Sequence, residues 1–189
     1  MFYLVLLNNS MNKTTKLEIQ NAYRELLGRY EANYEYAATL TLKQSTTITT
    51  TDKFGYVRQQ RIKLSKTALD STKRYFAATL TRYLYGNAAK HKSTRDAARP
   101  MLVFVDEGLN SDSKRVHLHI ALGNVPKHKQ ADIAQLIKKA WAQCDFAYEQ
   151  VDIKQIYDAK GWTDYITKEL SFENTEAVDI VNSVLTKRT

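Results

Sequence analysis

The chain has 189 residues, of which 43% are hydrophobic and 25% charged, and this is enough for one domain with a sizeable core. It carries 28 basic and 20 acidic side chains, and the formal net charge of +8 favours a polyanionic partner such as nucleic acid. The single cysteine, Cys144, excludes an internal disulfide and a multi-cysteine zinc cluster. The apolar start, Met1 to Leu7, is too short to span a bilayer, so we expect a cytoplasmic protein with no membrane partner.

Residue patterns in the first half predict two helices, a strand and a hairpin. Thr15 to Glu18 form a capping box, and the helix that they open has one apolar face reaching Tyr30. Residues 36–42 alternate apolar side chains with threonines, as a strand does. The stretch 43–64 is rich in threonine and then basic, which predicts an extended hairpin, and a second helix is predicted over 67–85.

The second half alternates strands and helices in the same way. After a charged loop at 86–100, the pattern predicts strands at 101–105, 116–122 and 146–157, and helices at 129–143 and 162–172. Several of these strands are connected as hairpins. This favours an α+β fold with a central antiparallel sheet flanked by helices over a doubly wound fold.

Two histidines share one face of the predicted strand 116–122. Strand side chains alternate faces at roughly 3.3 Å per residue, so Val116 and Leu118 point into a core. His117 and His119 then point the other way, about 6.5 to 7 Å apart between their Cα atoms. Two imidazoles on a rigid strand form half of a metal site, although an isolated pair is more often an ordinary feature of a sheet surface.

Glu107 is the candidate third ligand. It lies ten residues before His117 at the end of the preceding strand, and hairpin pairing would bring it near the histidine face. Asp106 would point to the opposite face. Two histidines and a carboxylate with open positions suit Mn²⁺ or Mg²⁺ and leave room for a phosphate oxygen, while the ligand types do not exclude zinc.

A tyrosine lies on the predicted late helix. Trp162, Ile166 and Leu170 form its buried stripe, and Tyr165 lies beside them with Lys168 and Glu169 one turn further on. An ammonium near a phenol favours the phenolate, and tyrosine can act as a covalent nucleophile. The alternative is a half-exposed tyrosine on a face of salt bridges.

Together these segments resemble the HUH endonucleases, specifically the single-tyrosine replication initiators of rolling-circle plasmids, small phages and viruses. Three motifs follow the order of that family and span about 36–169. They are the hydrophobic–threonine strand 38–42, His117-Leu118-His119 preceded by Glu107-Gly108, and Tyr165-Ile166-Thr167-Lys168 followed by an acidic residue.

The resemblance implies a ferredoxin-type core like that of the RRM fold, with the tyrosine helix facing the histidine strand. It implies a Mn²⁺ or Mg²⁺ ion held by Glu107, His117 and His119, with Glu169 as an auxiliary ligand. Tyr165 would attack the scissile phosphate of single-stranded or hairpin origin DNA. Lys168 would offset charge on the phosphate or orient it. The product would be a 5′-phosphotyrosine link and a free 3′-hydroxyl, in a bacterial host cell.

Other residues and partners follow from the same interpretation. We expect basic side chains of the hairpin and of the charged loop to contact DNA, namely Arg58, Arg61, Lys63, Lys90, Lys92, Arg95 and Arg99. The sequence contains no phosphate-binding loop of the helicase type, so a helicase would act in trans or belong to a longer protein. The single domain, 1–189, divides into an N-terminal arm and helix (1–33), a catalytic core (34–172) and a C-terminal tail (173–189).

Several alternatives stay open. Tyr157 is the rival nucleophile, although it lacks a following lysine at the same spacing. A transposase or a relaxase would keep the same chemistry, although relaxases usually carry a histidine triad. A non-catalytic origin-binding protein would keep the basic surface, and a structural zinc site in an RNA-binding domain would need a Cys/His set that the sequence lacks.

Overall fold

The structure is a computed structural model that describes residues 16–91, 98–109, 115–168, 170–171, 174–175 and 177–185. Four of the sequence predictions therefore lie outside the described residues: the N-terminal segment with Thr15, and the side chains of Lys92, Arg95 and Glu169. Among the described residues, no helix is both long and apolar enough to cross a membrane.

The described elements confirm the predicted alternation of strands and helices. The strands are β1 (Tyr34–Leu42), β2 (Ser45–Thr51), β3 (Val57–Lys63), β4 (Met101–Glu107), β5 (His117–Gly123), β6 (Ala147–Gln155) and β7 (Val178–Val184). The helices are α1 (16–28), α2 (Lys66–Tyr85), α3 (Ile133–Trp141) and α4 (Ala159–Ile166). Short 3₁₀ turns cover Glu31–Asn33, Gly86–Ala89 and Lys127–Asp132.

Five strands form one antiparallel sheet in the order β6-β1-β5-β4-β7, and β2 pairs with β3 in a separate hairpin. The α+β class with a central antiparallel sheet is therefore confirmed. One prediction needs correction, because the segment 173–189 is more than a tail. It contains the edge strand β7, which pairs with β4.

The two faces of the sheet carry two separate cores because strand side chains alternate. On one face, Leu118 and Ile120 of β5 pack with α2 and α3 around Phe76 and Trp141. On the other face, Ala121 packs with residues of α1, α4 and β7. His117 and His119 share that second face, so the alternation predicted for 116–122 is confirmed and the histidines face α4.

Of the three helices after α1, one runs as predicted and two are shorter or shifted. Ser65 caps α2 by accepting a hydrogen bond from the Ala68 backbone N–H, and this helix runs as predicted. Asp158 accepts from the Gly161 N–H, so α4 begins at Ala159 and not at residue 162. It also ends at Ile166 and not at residue 172, which leaves Lys168 in the following turn. The helix α3 is shorter than 129–143 because residues 127–132 form a 3₁₀ turn.

A buried lysine joins α2 to the edge of the sheet. Lys73 is 0% exposed, and its Nζ lies 2.9 Å from Asp106 Oδ2 and also hydrogen-bonds Asp179 on β7. Burial raises the pKa of Asp106, although the ammonium of Lys73 opposes that shift. Asp106 does point away from the histidine face, as the strand alternation predicts. The pairing of Asp106 with Lys73 was not predictable, because Lys73 occupies a polar position in the helix pattern that indicates solvent exposure.

Candidate active site

Glu107 and His119 meet on the sheet face that α4 covers. In the register of β4 and β5, Glu107 pairs with His117 and Val105 pairs with His119. The Glu107 side chain extends diagonally past its partner His117 to His119, two residues further along β5. Its Oε2 lies 2.6 Å from His119 Nε2. Both side chains are largely shielded from solvent. The predicted approach of Glu107 to the histidine strand therefore occurs, with His119 as its partner.

Thr39 holds the same imidazole from the other side. It lies opposite His119 in the pairing of β1 with β5, and its Oγ1 is 3.1 Å from His119 Nδ1. With both ring nitrogens engaged, the plane of the imidazole is fixed. A hydrogen bond on one ring nitrogen also sets which tautomer the other presents, as it does for histidines that bind metals.

His117 lies beside this pair without joining it. The register places His117 between Thr41 of β1 and Glu107 of β4, on the same sheet face as His119. Among the described residues, no three His, Cys, Asp or Glu side chains already converge as a metal-holding group. Two of the three predicted donors therefore meet, and the third is their neighbour across the strands.

The donor set fits a divalent cation chemically. Metal–ligand distances of about 2.0–2.2 Å separate adjacent ligand atoms by about 3 Å. Glu107 Oε2 and His119 Nε2, at 2.6 Å, need to part by only a few tenths of an ångström to reach that separation. Imidazole nitrogen is a ligand typical of Zn²⁺ and other transition metals, whereas carboxylate oxygen is typical of Mn²⁺ and Mg²⁺, so this mixed donor pair is compatible with either class.

Tyr165 of α4 stands against His119. Their ring centroids are 5.9 Å apart with an interplanar angle of 87°, so one ring presents its edge to the face of the other. Tyr165 keeps 48% of its surface exposed, which leaves it accessible to a substrate. The predicted meeting of the tyrosine helix with the histidine strand therefore occurs in the tertiary structure.

Lys168 contacts the ring of Tyr165, three residues before it, as the predicted spacing implies. Its Nζ lies 3.8 Å from the centroid of the ring, and the Lys168 backbone N–H donates to the Tyr165 carbonyl oxygen in the turn that follows α4. This is a cation–π contact. It keeps one positive charge within a few ångströms of the phenol.

A cleft of about 240 Å³ opens between β1, β6 and α4. Its lining includes Thr39, His119 and Tyr165, together with Asp152 and Lys154 of β6. Lys154 Nζ lies 2.8 Å from Asp152 Oδ2, and this hydrogen bond raises the pKa of Lys154. Neither β6 residue was predicted as part of the site. Strand alternation does place both on one face, but only the pairing of Asp152 with Thr39 reveals that it is the face of the site.

The helix α1 holds the turn that follows α4. Gln20, which is buried, donates its side-chain amide to the carbonyl oxygens of Lys168 at 3.0 Å and Leu170 at 3.2 Å. Arg24 Nε lies 2.8 Å from the Asp164 carboxylate on α4. The N-terminal helix therefore supports the segment that carries Tyr165, a role that its amphipathic pattern did not predict.

Other predicted site residues lie elsewhere. Tyr157 is 87% exposed beyond the end of β6, where its hydroxyl donates to Gln155 Oε1 at 3.1 Å. Lys90 and Arg99 line a separate cleft of about 650 Å³ beside β7. The remaining described basic residues, Arg58, Arg61 and Lys63, are exposed on β3.

Comparison of the chain with protein-family models, curated proteins and solved structures gave no match. The case for a function therefore depends on the residues and on their arrangement.

Proposed function

We propose that this protein is a metal-dependent endonuclease that nicks and rejoins single-stranded DNA through Tyr165, and so initiates rolling-circle replication. The observation that carries the proposal is the edge-to-face approach of Tyr165 to His119 at 5.9 Å, on the face where Glu107 reaches the same imidazole. A nucleophile and a candidate metal-binding pair come from three distant parts of the chain. A binding protein has no need of that combination.

The topology supports the same proposal. Apart from the β2–β3 hairpin inserted after β1, the elements β1-α2-β4-β5-α3-β6 run as strand-helix-strand-strand-helix-strand, and their sheet order is β6-β1-β5-β4. This is the succession of a ferredoxin-type core, which the resemblance to HUH endonucleases implies. The histidine strand β5 is central in the sheet, as that resemblance also implies.

His117, His119 and Glu107 would hold the cation, either Mn²⁺ or Mg²⁺. When bound, such an ion polarises the scissile phosphate and stabilises the charge that develops on it. Thr39 keeps the His119 ring oriented, so that one nitrogen faces Glu107 and the site. Glu169, the auxiliary ligand implied by the resemblance, lies outside the described residues.

The transfer step balances without a further reactant. Tyr165 Oη forms a bond to phosphorus, the bond from phosphorus to the 3′ oxygen breaks, and the phenol proton ends on the released 3′-hydroxyl. Because one phosphodiester replaces another, a 3′-hydroxyl can reverse the step and join strands. Lys168, stacked on the ring, supplies a positive charge next to the phenolate and the phosphate.

The test follows the covalent product. Purified protein is incubated with 3′-labelled single-stranded DNA that covers its own replicon, with Mn²⁺ or with a chelator, and separated in SDS. We expect a labelled band of protein size plus DNA with Mn²⁺ and none with the chelator. Tyr165→Phe should give no band, because the ring stays while the nucleophilic oxygen is removed.

Tyr157→Phe is the matched control, since this tyrosine lies eight residues earlier and outside the cleft. It should form the adduct as the unmodified protein does. An adduct that persists in Tyr165→Phe would contradict the assignment of the nucleophile. Specific binding of the replicon DNA without any adduct would indicate a non-catalytic origin-binding protein.

A further inference from the structure

The β2–β3 hairpin is attached at the end of the sheet where the candidate active site lies. It follows β1 after two residues, and the last residues of β1 include Thr41, which pairs with His117. Each of its strands has seven residues and therefore extends about 20 Å. Its strands pair with each other and with no other strand that the structure describes.

The two faces of this hairpin differ in character. On the inner face, Ile62 packs against the core that α2 and α3 cover. Residues paired across an antiparallel ladder share a face, so Arg61 and Thr47 lie together on the outer face, as do Lys63 and Ser45. On the outer face, a row of hydroxyls on β2 therefore lies next to two exposed cations on β3, Arg61 and Lys63. Hydroxyl and cationic side chains are those that most often contact nucleic-acid phosphates.

The tip of the hairpin exposes two aromatic rings. Phe54 is 74% exposed and Tyr56 is 69% exposed, and the Nζ of Lys53 lies 5.0 Å from the centroid of the Phe54 ring. The only acidic residue of the hairpin, Asp52, accepts hydrogen bonds from the backbone N–H groups of Phe54 and Tyr56. Its carboxylate therefore fixes the turn that presents the rings.

The stability and composition of this hairpin point to a binding partner. A two-stranded hairpin is at best marginally stable by itself in water. Aromatic rings that stay exposed at its tip contribute no free energy of apolar burial to folding. Residues 45–63 hold four basic side chains and one acidic side chain, a net charge of +3. Charge complementarity therefore points to a polyanion, and exposed rings between cations are typical of proteins that stack unpaired bases.

We propose that the β2–β3 hairpin is a single-stranded DNA-binding arm, with phosphates along Arg61, Lys63 and the hydroxyl row, and unpaired bases stacked on Phe54 and Tyr56. The proposal rests on the proposed function, because it assigns a second contact to the substrate of the same site. It extends that function from the residues that cut the DNA to a surface that holds it at a distance from the cut.

The test measures binding apart from chemistry. Fluorescent oligo(dT) is titrated with Tyr165→Phe protein in the presence of a chelator, so that no nicking can occur. Stacking on an aromatic ring contributes about 1–3 kcal/mol per base, so replacing both Phe54 and Tyr56 by Ala should weaken binding by about 30-fold or more. Trp at both positions should restore the affinity, because it retains the stacking surface.

Two further measurements separate the parts of the arm. An abasic oligomer of the same length should bind equally well to the protein with and without the tip rings. Replacing Arg61 and Lys63 by Ala should lower the slope of log affinity against log salt by about 0.7 per lost phosphate contact. Tyr75→Ala is the control, since Tyr75 is an exposed aromatic residue on α2, outside the hairpin.

The proposal would be overturned if the tip variant bound oligo(dT) as tightly as its parent. It would also be overturned if the variant lost binding to vesicles of anionic lipid while its DNA affinity was unchanged, because the tip would then be a membrane contact. Since binding is measured without nicking, a failure of this proposal and a failure of the nuclease proposal remain distinguishable.

Discussion

Replacing Lys73 by Met removes a completely buried cation that lies between the carboxylates of Asp106 and Asp179. Its Nζ lies 2.9 Å from Asp106, contacts Asp179 and lies 3.2 Å from Asp70. After the replacement, Lys66, which is partly exposed and lies 3.4 Å from Asp106, is the cation that the described structure still places beside these acids. Removing one partner of a buried ion pair costs about 3–5 kcal/mol, a large part of the about 5–15 kcal/mol by which a domain is stable.

The loss of unfolding free energy caused by Lys73→Met should become smaller as the pH falls. Without the ammonium, burial and mutual repulsion raise the folded-state pKa of both carboxyl groups above their unfolded value. The folded variant then binds protons more tightly than the unfolded chain, so it gains stability as the pH falls. We expect the difference from the unmodified protein to shrink between about pH 7 and pH 4.

Urea unfolding of both proteins across this pH range, followed by tryptophan fluorescence, measures the free energies. Lys73→Met combined with Asn at Asp106 and Asp179 should recover part of the loss, because it removes the uncompensated charges. A loss below about 1 kcal/mol at neutral pH would contradict the reasoning. So would a loss of several kcal/mol that does not change with pH.

Two other substitutions test the contacts of Asp179 on the edge strand β7 and of Gln20 at the turn after α4. Burial alone would raise the pKa of Asp179, but hydrogen bonds from Lys73 and Asn182 lower it, so its contribution is present above about pH 4 and is lost as the pH falls through the folded-state pKa. Asp179→Asn should therefore lower stability at neutral pH and reduce the loss on acidification, as thermal melts at several pH values will measure. Gln20→Leu removes the side-chain donor from the part-buried Lys168 carbonyl and the buried Leu170 carbonyl in the turn after α4, which costs about 1–3 kcal/mol. Gln20→Leu should lower the rate of adduct formation more than it lowers DNA affinity. Gln20→Glu at low pH should restore part of the rate, because a protonated carboxyl has one O–H donor. Arg29→Ala, at an exposed ion pair with Glu25 of α1, should change neither quantity.

Much of the local structure follows from residue patterns. The alternation at 116–122 predicts which face of β5 is apolar, and the helical spacing over 67–85 predicts α2 to within a residue. These predictions succeed because a side chain's face depends only on the repeat of its own element. The approach of Glu107 to the histidine strand follows from hairpin pairing of neighbouring strands, which is also a local property.

Other features depend on contacts between distant parts of the chain. Helical spacing predicted Lys168 as a neighbour of Tyr165, and the two side chains do meet, but the end of α4 at Ile166 was not predictable from that spacing. Asp152 joins the cleft only because β6 pairs with β1. Strand pairing between segments more than a hundred residues apart leaves no periodic signal in either segment.

The paired histidines illustrate both what the sequence determines locally and what depends on tertiary contacts. By itself, the sequence determined that His117 and His119 share one face of a strand, since alternation needs no information beyond the strand. Only the tertiary structure decided that His119, and not both histidines, is held between Thr39 and Glu107, and that the ring of Tyr165 stands against it. Register across three strands and the packing of a helix on the sheet bring these side chains together, and both are set by the cores on the two faces and not by any local pattern.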